Sequence, residues 1–350
     1  MTLFIIIGVT IFILDRVVKV KRSNNVIIIS SIFILLFLVH LVFNSDSILI
    51  QLAGGSSKNL IFIGLLYSTL ALYAVLLNKI KSYQSISGLE KRTGSSFKSE
   101  ELDRYARHII LKEIGGSGQK KLKNARVLVI GAGGLGSPVL QYLGACGVGV
   151  IGIIDNDLVD NSNLHRQVIY PDSAIGENKV FAAAEVIKSQ NPFVEVLTFN
   201  RFFNVAIAKE LISDFDVVVD GTDNTSSRYL INEICVLLKK PLVSGAIAQW
   251  EGQVMVYDSM PESPCYQCVF PLTHTESRDV SCSTLGVVGA LPGVIGSIMA
   301  VETIKLIINV GELLSSRLLI YDGLFAETRT ISTKKNSKCP ICFSEKFRYK

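Results

Sequence analysis

The sequence carries little excess charge of either sign and lacks the basic stripes that nucleic-acid-binding proteins present. Its 350 residues include 35 Lys and Arg against 30 Asp and Glu, which gives a formal net charge of +5. No run of basic residues is interleaved with aromatic residues. Because a nucleic-acid backbone is bound mainly through clustered cations, this composition predicts that nucleic acid is not a partner.

Long stretches without charge lie before residue 80, in three apolar runs. Their length and composition predict transmembrane helices over about residues 2–18, 26–43 and 60–78. The first run is short, roughly 20 Å as a helix, and could instead be the hydrophobic region of a signal peptide. No small-residue cleavage site follows it, which favours the span. Residues 1–81 are therefore expected to form a membrane region with two or three transmembrane helices.

Basic residues flank the apolar runs on one side. Four lie between the first two runs and two follow the third, whereas residues 44–59 contain a single lysine. Because cytoplasmic loops carry the excess of Lys and Arg, residues 15–25 and everything after residue 78 are predicted to be cytoplasmic. We expect a multi-pass protein of the inner (cytoplasmic) membrane, with a Ser- and Gly-rich linker at residues 82–100 and a soluble domain at residues 101–350.

An odd number of cysteines, seven in all, argues against a disulfide scaffold. Four of them form two C-x-x-C pairs, PCYQC and KCPIC, with the local spacing that a tetrahedral zinc site uses. Four protein ligands leave no open coordination position, so the ion would be structural. Thiol–disulfide pairs are the alternative, which a cytoplasmic location disfavours. The predicted zinc ligands are Cys265, Cys268, Cys339 and Cys342.

One later segment, residues 285–308, is apolar enough to suggest a fourth transmembrane helix. Glu302 and Lys305 interrupt it, and Pro292 lies within it. A span there would also place the two C-x-x-C pairs on opposite sides of the membrane. The segment is therefore predicted to be a buried loop and helix of the soluble domain.

From residue 101 onward, strand-like runs alternate with helical patterns. The runs include VLVI, VGVIGIID, FDVVVDGTD, PLVSGAI and GQVMVYD. Such alternation is typical of an α/β fold with a largely parallel sheet, which is the fold class that we expect.

A glycine-rich turn follows the first of these runs. Gly131, Gly133 and Gly136 form a G-x-G-x-x-G pattern between a strand and a helical pattern. Without Cβ atoms, the backbone lets phosphate groups approach a helix N-terminus, where amide donors and the helix dipole favour anions. Asp155 ends the next strand and is suited to bind ribose hydroxyls. These residues alone do not distinguish a dinucleotide used in redox chemistry from ATP.

Two cations are predicted near the same edge of the sheet. Arg166 and Lys179 follow Asp155, close to the strand ends at which a nucleotide would bind. A dinucleotide does not require both cations, whereas a triphosphate does, because the leaving pyrophosphate carries developing negative charge. Either residue alone could be a solvated surface charge. Their joint placement favours ATP.

A further strand ends in carboxylates, in the segment VVVDGTDN. Asp223 is suited to bind Mg²⁺, which prefers oxygen ligands and bridges substrate phosphates. The alternative is a helix N-cap, provided by Asp223 or Asn224 for a helix that begins near Ser226. The two roles are compatible.

One cysteine outside the pairs, Cys282, lies in the polar segment RDVSCSTLG. Arg278 nearby would favour its thiolate form and make it a nucleophile. A lone cysteine is more often inert, so both interpretations stay open.

The chain from about residue 102 onward resembles the MoeB/ThiF/HesA adenylyltransferases, which are related to ubiquitin-activating enzymes. The matching motifs, in family order, are RYARHIIL, GAGGLGS, DNDLVDNSNLHRQ, GENK, DGTDN, PLVSGA, EGQV and both C-x-x-C pairs. The resemblance implies a doubly wound, Rossmann-like sheet with a Cys₄ zinc site. It also implies adenylation of the C-terminal carboxylate of a ubiquitin-like sulfur-carrier protein (MoaD/ThiS-like), with Mg-ATP as substrate and pyrophosphate as product.

The resemblance also assigns roles to individual residues. Arg107, in RYARH, would reach into the site of a partner subunit, which implies a homodimer. Arg166 and Lys179 would hold the phosphates, and Asp223 the magnesium. Cys282 matches the position at which some relatives form a thioester or persulfide-type link. The nucleotide-binding residues that the resemblance implies are Gly131, Gly133, Gly134, Gly136, Asp155, Ser162, Asn163, Leu164, His165, Arg166, Lys179, Asp223 and Asn224.

Other functions remain compatible with the sequence. The acceptor could be a different carboxylate, such as that of a ribosomal peptide precursor. An NAD-dependent oxidoreductase would also use the glycine-rich turn, and a non-catalytic membrane scaffold could keep the fold. The intact set of charged motif residues argues against the scaffold. The expected partners are a carrier protein or peptide that ends in glycine, a second copy of the chain, and the membrane.

Overall fold

The computed structural model describes residues 97–272 and 286–342. The three predicted transmembrane helices, most of the predicted linker and Cys282 lie outside the described residues. The first described helix begins at Ser99, so the last two residues of the predicted linker are helical.

The described strands form one mixed sheet. They are β1 (Arg126–Ile130), β2 (Val150–Ile154), β3 (Glu195–Phe199), β4 (Val217–Asp220), β5 (Leu242–Ala248), β6 (Glu251–Tyr257), β7 (Arg317–Asp322) and β8 (Glu327–Ser332). Their spatial order is β3-β2-β1-β4-β5-β6-β7-β8. The pairs from β3 to β5 are parallel, and β6, β7 and β8 add antiparallel strands at one edge. The mostly parallel α/β sheet predicted from the sequence is confirmed.

Helices cover both faces of this sheet. They are α1 (Ser99–Ile109), α2 (Gly115–Asn124), α3 (Gly136–Ala145), α4 (Lys179–Gln190), α5 (Val205–Ser213), α6 (Thr225–Leu238), α7 (Tyr266–Val269) and α8 (Leu291–Ile308). On one face α3, α4 and α8 contribute Leu143, Ile187 and Met299 to the core. On the other face α5 and α6 contribute Ile212 and Ile231. The sheet is therefore doubly wound.

The central strands are buried on both faces. Every residue of β1, β2 and β4 is buried. A strand covered by helices on both sides has no solvent-facing positions, so its sequence is a continuous apolar run and does not alternate between polar and apolar residues. This explains why RVLVI, VIGII and VVVD were recognisable as strands.

The order of the strands reverses beside β1. The chain passes from β1 to β2 and β3 on one side, then returns to β4 on the other side of β1. In open α/β sheets such a reversal opens a crevice at the carboxyl ends of the strands, because the two flanking connections leave on opposite faces. The segments that follow β1, β2 and β4 meet there.

The apolar segment that suggested a membrane span forms α8. By length and mean hydropathy it is the single candidate span in residues 97–272 and 286–342, and half of it is buried in the fold. The Glu302 carboxylate is buried, accepting from Lys305 Nζ at 2.6 Å and from the Leu314 amide at 2.9 Å. The charges that interrupt the apolar pattern thus satisfy each other inside the domain. Helix α8 packs against α3, β5 and β6, as expected of a core helix.

Candidate active site

A cleft of about 620 Å³ opens at the carboxyl ends of β1, β2 and β4. It lies at the reversal of strand order, where doubly wound sheets bind their ligands. The predicted site residues that line it are Gly131, Gly133, Gly134, Asp155, Asn163, Arg166, Lys179, Asp223 and Asn224.

The glycine-rich turn after β1 is shaped by close backbone contacts. Gly131 has a φ of +90°, and a Cβ on it would lie 2.9 Å from the carbonyl oxygen of Gly221. A Cβ on Gly136 would lie 2.0 Å from the carbonyl oxygen of Gly131. The Tyr170 hydroxyl donates to the Ala132 carbonyl oxygen at 2.7 Å and holds the turn in place. The backbone therefore borders the cleft at the N-terminus of α3, a position that favours phosphate groups.

The Asp155 carboxylate is fixed at the end of β2. Its Oδ2 accepts from the Ala132 amide and its Oδ1 accepts from the Asp157 amide, each at 2.8 Å. A carboxylate oxygen can accept a second hydrogen bond, so both oxygens can still bind hydroxyl groups. Asp155 is thus suited to hold a ribose next to the glycine-rich turn.

The Lys179 ammonium forms part of the cleft wall. Lys179 is the first residue of α4, and its Nζ lies 2.8 Å from Asp157 Oδ2. The lysine side chain is 5% exposed, whereas the aspartate side chain is 59% exposed. The ion pair therefore fixes the buried ammonium at the wall of the cleft.

The Arg166 guanidinium is held by its own loop. It donates to Asn163 Oδ1 at 2.6 Å and to the Ser162 carbonyl oxygen at 3.1 Å. It also lies 2.9 Å from His165 Nε2. These contacts fix the positive charge of Arg166 at the wall of the cleft.

Of the predicted catalytic and nucleotide-binding residues that the structure describes, five do not line the cleft. Gly136 shapes the turn, Ser162 and His165 contact Arg166, and Leu164 packs against the hydrophobic core. Arg107 is exposed on α1, away from the cleft of its own chain.

Asp223 follows β4 and borders the cleft. The next residue, Asn224, caps α6, because its Oδ1 accepts from the Ser227 amide at 3.0 Å. The N-cap that the sequence left open between two residues is therefore provided by Asn224. Among the residues that the structure describes, Asp223 makes no hydrogen bond or ion pair, so its exposed carboxylate can bind Mg²⁺.

The four predicted zinc cysteines come together. Their sulfur atoms lie within 4.8 Å of one another. The Sγ–Sγ distances are 3.8 Å for Cys265–Cys268, 3.8 Å for Cys265–Cys339 and 3.6 Å for Cys268–Cys342. A tetrahedral ion with Zn–S bonds of about 2.3 Å requires sulfur atoms about 3.8 Å apart. The cluster therefore fits zinc, and it ties the C-terminal C-x-x-C pair to α7.

Comparison with known families decides the classification. The model of the ThiF family matches residues 105–341, from α1 to the second C-x-x-C pair. The chain belongs to the ThiF family. This confirms the resemblance that the sequence motifs indicated.

Several relatives of this ThiF-family chain are named adenylyltransferases. It is 45% identical over 250 residues to the sulfur carrier protein adenylyltransferase of Thermus thermophilus, covering 70% of this chain and 92% of the relative. It is 42% identical over 247 residues to the SAMP-activating enzyme E1 of Haloferax volcanii, covering 71% and 91%. It is 46% identical over 244 residues to the adenylyltransferase and sulfurtransferase MOCS3 of Arabidopsis thaliana, covering 69% and 52%. The chain thus spans about half of that last protein.

Solved structures share the fold. Escherichia coli MccB, crystallised with AMPCPP and selenomethionine MccA, has a TM-score of 0.62 at 23% identity, covering 71% of this chain and 75% of MccB. PaaA has a TM-score of 0.60 at 22% identity, covering 82% of this chain and 85% of PaaA. At these identities the likeness shows the fold alone.

Sequence reasoning missed Arg228 in this ThiF-family site. Arg228 lies on α6 and lines the cleft, with its Nε 3.5 Å from the buried Asp220 carboxylate. Its guanidinium also lies over the Tyr266 ring, 5.7 Å from the ring centroid. The sequence contained a signal for Arg228. It lies four positions after Asn224, and therefore on the first turn of the helix that begins at the edge of the cleft.

Three other cleft residues were also missed. Arg201 and Phe202 follow β3, whose carboxyl end lies beside that of β2. Treating VEVLTF as a strand would have placed them at the same edge. Gln167 follows Arg166 and also lines the cleft. It lies in a loop, where the spacing of residues along the sequence does not show which side chains face a cleft.

Substitution of one cysteine tests whether the cluster binds zinc. Cys339→Ser should lower the zinc content well below about one ion per chain, because the remaining three thiolates cannot complete a tetrahedral structural site. The melting temperature should fall with it. Elemental analysis and thermal unfolding measure both effects. Cys146→Ser, which changes a cysteine outside the cluster, should keep the zinc, and a Cys339→Ser protein that retained a full zinc content would contradict the assignment.

Proposed function

We propose that the chain catalyses the ATP-dependent adenylation of the C-terminal carboxylate of a ubiquitin-like sulfur-carrier protein and releases pyrophosphate. The observation that carries the proposal is the convergence, in one cleft, of the glycine-rich turn, two cations and the Asp223 carboxylate. A nicotinamide dinucleotide would not require this set. The names of relatives that align over most of their own length support a sulfur carrier as the acceptor.

The cleft provides a separate contact for each part of ATP. The Asp155 carboxylate would accept hydrogen bonds from the ribose hydroxyls, and the amide groups at the N-terminus of α3 would donate to phosphate oxygens. Arg166 and Lys179 would contact the triphosphate, where negative charge accumulates as pyrophosphate leaves. Asp223 would hold Mg²⁺, which offsets phosphate charge when it is bound.

The chemistry then depends on positioning. A carboxylate oxygen of the carrier attacks the α-phosphorus in line, and the bond from that phosphorus to the bridging oxygen breaks. The electron pair leaves with pyrophosphate, and the product is an acyl adenylate. No proton transfer from the protein is needed, since the nucleophile is already a carboxylate. In our proposal, catalysis depends on orientation and on charge stabilisation by Arg166, Lys179, Arg107 of a second chain and the metal ion that Asp223 would hold.

We also propose that the active form is a homodimer in which Arg107 completes the partner's cleft. Helix α1 is anchored to its own domain by one face. The Glu101 carboxylate accepts from Lys123 Nζ at 2.7 Å, and the Tyr105 hydroxyl accepts from Asn191 Nδ2 at 2.8 Å. Arg107 is exposed and free to contact a second chain.

The membrane region is part of the proposal as well. The three apolar runs and the distribution of basic residues support anchoring through residues 1–81, with the domain at residues 101–350 in the cytoplasm. Because spanning helices resist removal by alkali, the protein should stay in the membrane fraction after alkaline carbonate extraction. Recovery of the intact chain in the supernatant would refute the anchoring.

Exchange of labelled pyrophosphate into ATP tests the reaction. The purified protein should catalyse this exchange only when a small carrier protein ending in Gly-Gly is added, because pyrophosphate can re-form ATP only from an acyl adenylate. Asp223→Asn should reduce the rate about 100-fold or more through loss of the magnesium ligand. Asp172→Asn, at an exposed carboxylate outside the cleft, is the matched control. Tight binding of NADH with no response to ATP would refute the function.

Mixed dimers test the role of Arg107. Arg107→Ala and Asp223→Asn should each be inactive alone. When they are co-expressed in equal amounts, half of the dimers contain one of each, and one of their two sites is intact. Exchange activity should therefore recover to about a quarter of the wild-type value. Activity that stays at the level of the single variants would show that Arg107 does not act across subunits.

A further inference from the structure

A buried asparagine on α6, Asn232, lies against the cysteine cluster. Asn232 and Cys265 are both 0% exposed. The Asn232 Nδ2 donates to Cys265 Sγ at 3.7 Å, and its Oδ1 accepts from the Tyr266 amide at 2.8 Å. A backbone amide can only donate, so the carboxamide oxygen must face Tyr266 and the NH₂ group must face the sulfur. These contacts fix which end of the carboxamide meets the cysteine.

A donor in this position acts mainly on a charged sulfur. A neutral thiol accepts hydrogen bonds only weakly, whereas the four cysteines would hold zinc as thiolates, four negative charges around one divalent cation. At the buried Cys265, water cannot stabilise the excess negative charge. A hydrogen bond to a charged group is about twice as strong as one between neutral groups. The Asn232 donor therefore stabilises the metal-bound cluster more than the metal-free one.

A second buried asparagine shows what a purely structural carboxamide does in this domain. Asn191 is also 0% exposed. Its Nδ2 donates to the Tyr105 hydroxyl at 2.8 Å and to the Gly144 carbonyl oxygen at 2.7 Å. Both of its donors therefore meet oxygen atoms that join α1 and α3. The donor of Asn232 meets a sulfur atom of the predicted zinc ligands instead.

Helix α6 extends from the cleft to the cysteine cluster. Arg228 lines the cleft and lies four residues before Asn232, so the two side chains share one face of the helix. The Arg228 guanidinium lies over the Tyr266 ring, 5.7 Å from its centroid, and Asn232 holds the Tyr266 amide. The carboxamide therefore joins the cluster to the wall of the cleft through Tyr266.

We propose that Asn232 is a positioning residue of the metal site, which holds the Cys265 thiolate through an N–H···S hydrogen bond and so raises the affinity of the cluster for zinc. Groups that hydrogen-bond to metal ligands orient those ligands and tune the binding of the ion. The inference rests on the assignment of the four cysteines to zinc and is independent of the reaction proposed for the cleft.

Asn232→Asp tests the proposal. Aspartate keeps the shape of the side chain and an oxygen that accepts from Tyr266, but it replaces the donor with a negatively charged oxygen. The dissociation constant for zinc, measured on the reduced, zinc-loaded protein by competition with a chromogenic chelator, should rise about 10- to 100-fold. In protein substituted with Co²⁺, the sulfur-to-cobalt charge-transfer band should move to longer wavelength, because a thiolate that loses a hydrogen bond gives up its electrons more readily.

Asn191→Asp is the matched control. It should lower the melting temperature, because two buried acceptors lose their donor, and leave the zinc affinity and the cobalt band unchanged. Asn232→Ala removes the donor without adding charge and should weaken zinc binding by a smaller factor; it decides the question if Asn232→Asp does not fold. Asn232 variants that melt lower yet match the wild type in zinc affinity and cobalt band would identify Asn232 as purely structural. A wild type that binds no zinc would overturn the zinc assignment together with this inference.

Discussion

The close approach of β1 and β4 at their carboxyl ends is the constraint on which the rest of the site depends. Gly131, Gly136 and Gly221 meet there, with so little space that a Cβ on any of them would crowd a backbone atom. This contact lets α3 begin directly behind the turn after β1. The N-terminus of α3 therefore borders the crevice that the reversal of strand order opens, a position that favours anions even before any side chain is considered.

Two cations border the same crevice. Arg166 is oriented by Asn163 and Lys179 by Asp157, so both side chains are fixed in advance and would need little reorganisation to contact the phosphates that we propose. The cysteine cluster contributes indirectly, because Tyr266 follows the ligand Cys265 and lies beneath the guanidinium of Arg228 at the cleft. A structural metal would thus position one wall of the site.

Much of this arrangement was predictable from local sequence. The central strands are continuous apolar runs, since both of their faces are covered, and the glycine-rich turn has a spacing that is set by backbone geometry. The four cysteines were assigned as one cluster because each C-x-x-C pair is complete within four residues, although 70 residues separate Cys268 from Cys339. The family motifs in the sequence indicated a ThiF-type adenylyltransferase. The match to the family model and the observed sheet agree with that classification.

The sequence by itself determined which residue types follow each strand, because those residues are adjacent along the chain. Tertiary structure alone decided which of them face the cleft. The Ser162 hydroxyl donates to Asp160, His165 lies beside Arg166, Asn224 takes the N-cap of α6, and Gln167 lines the cleft. The reason is that the direction of a side chain in a loop depends on the strands and helices packed around it, and these come from distant parts of the sequence.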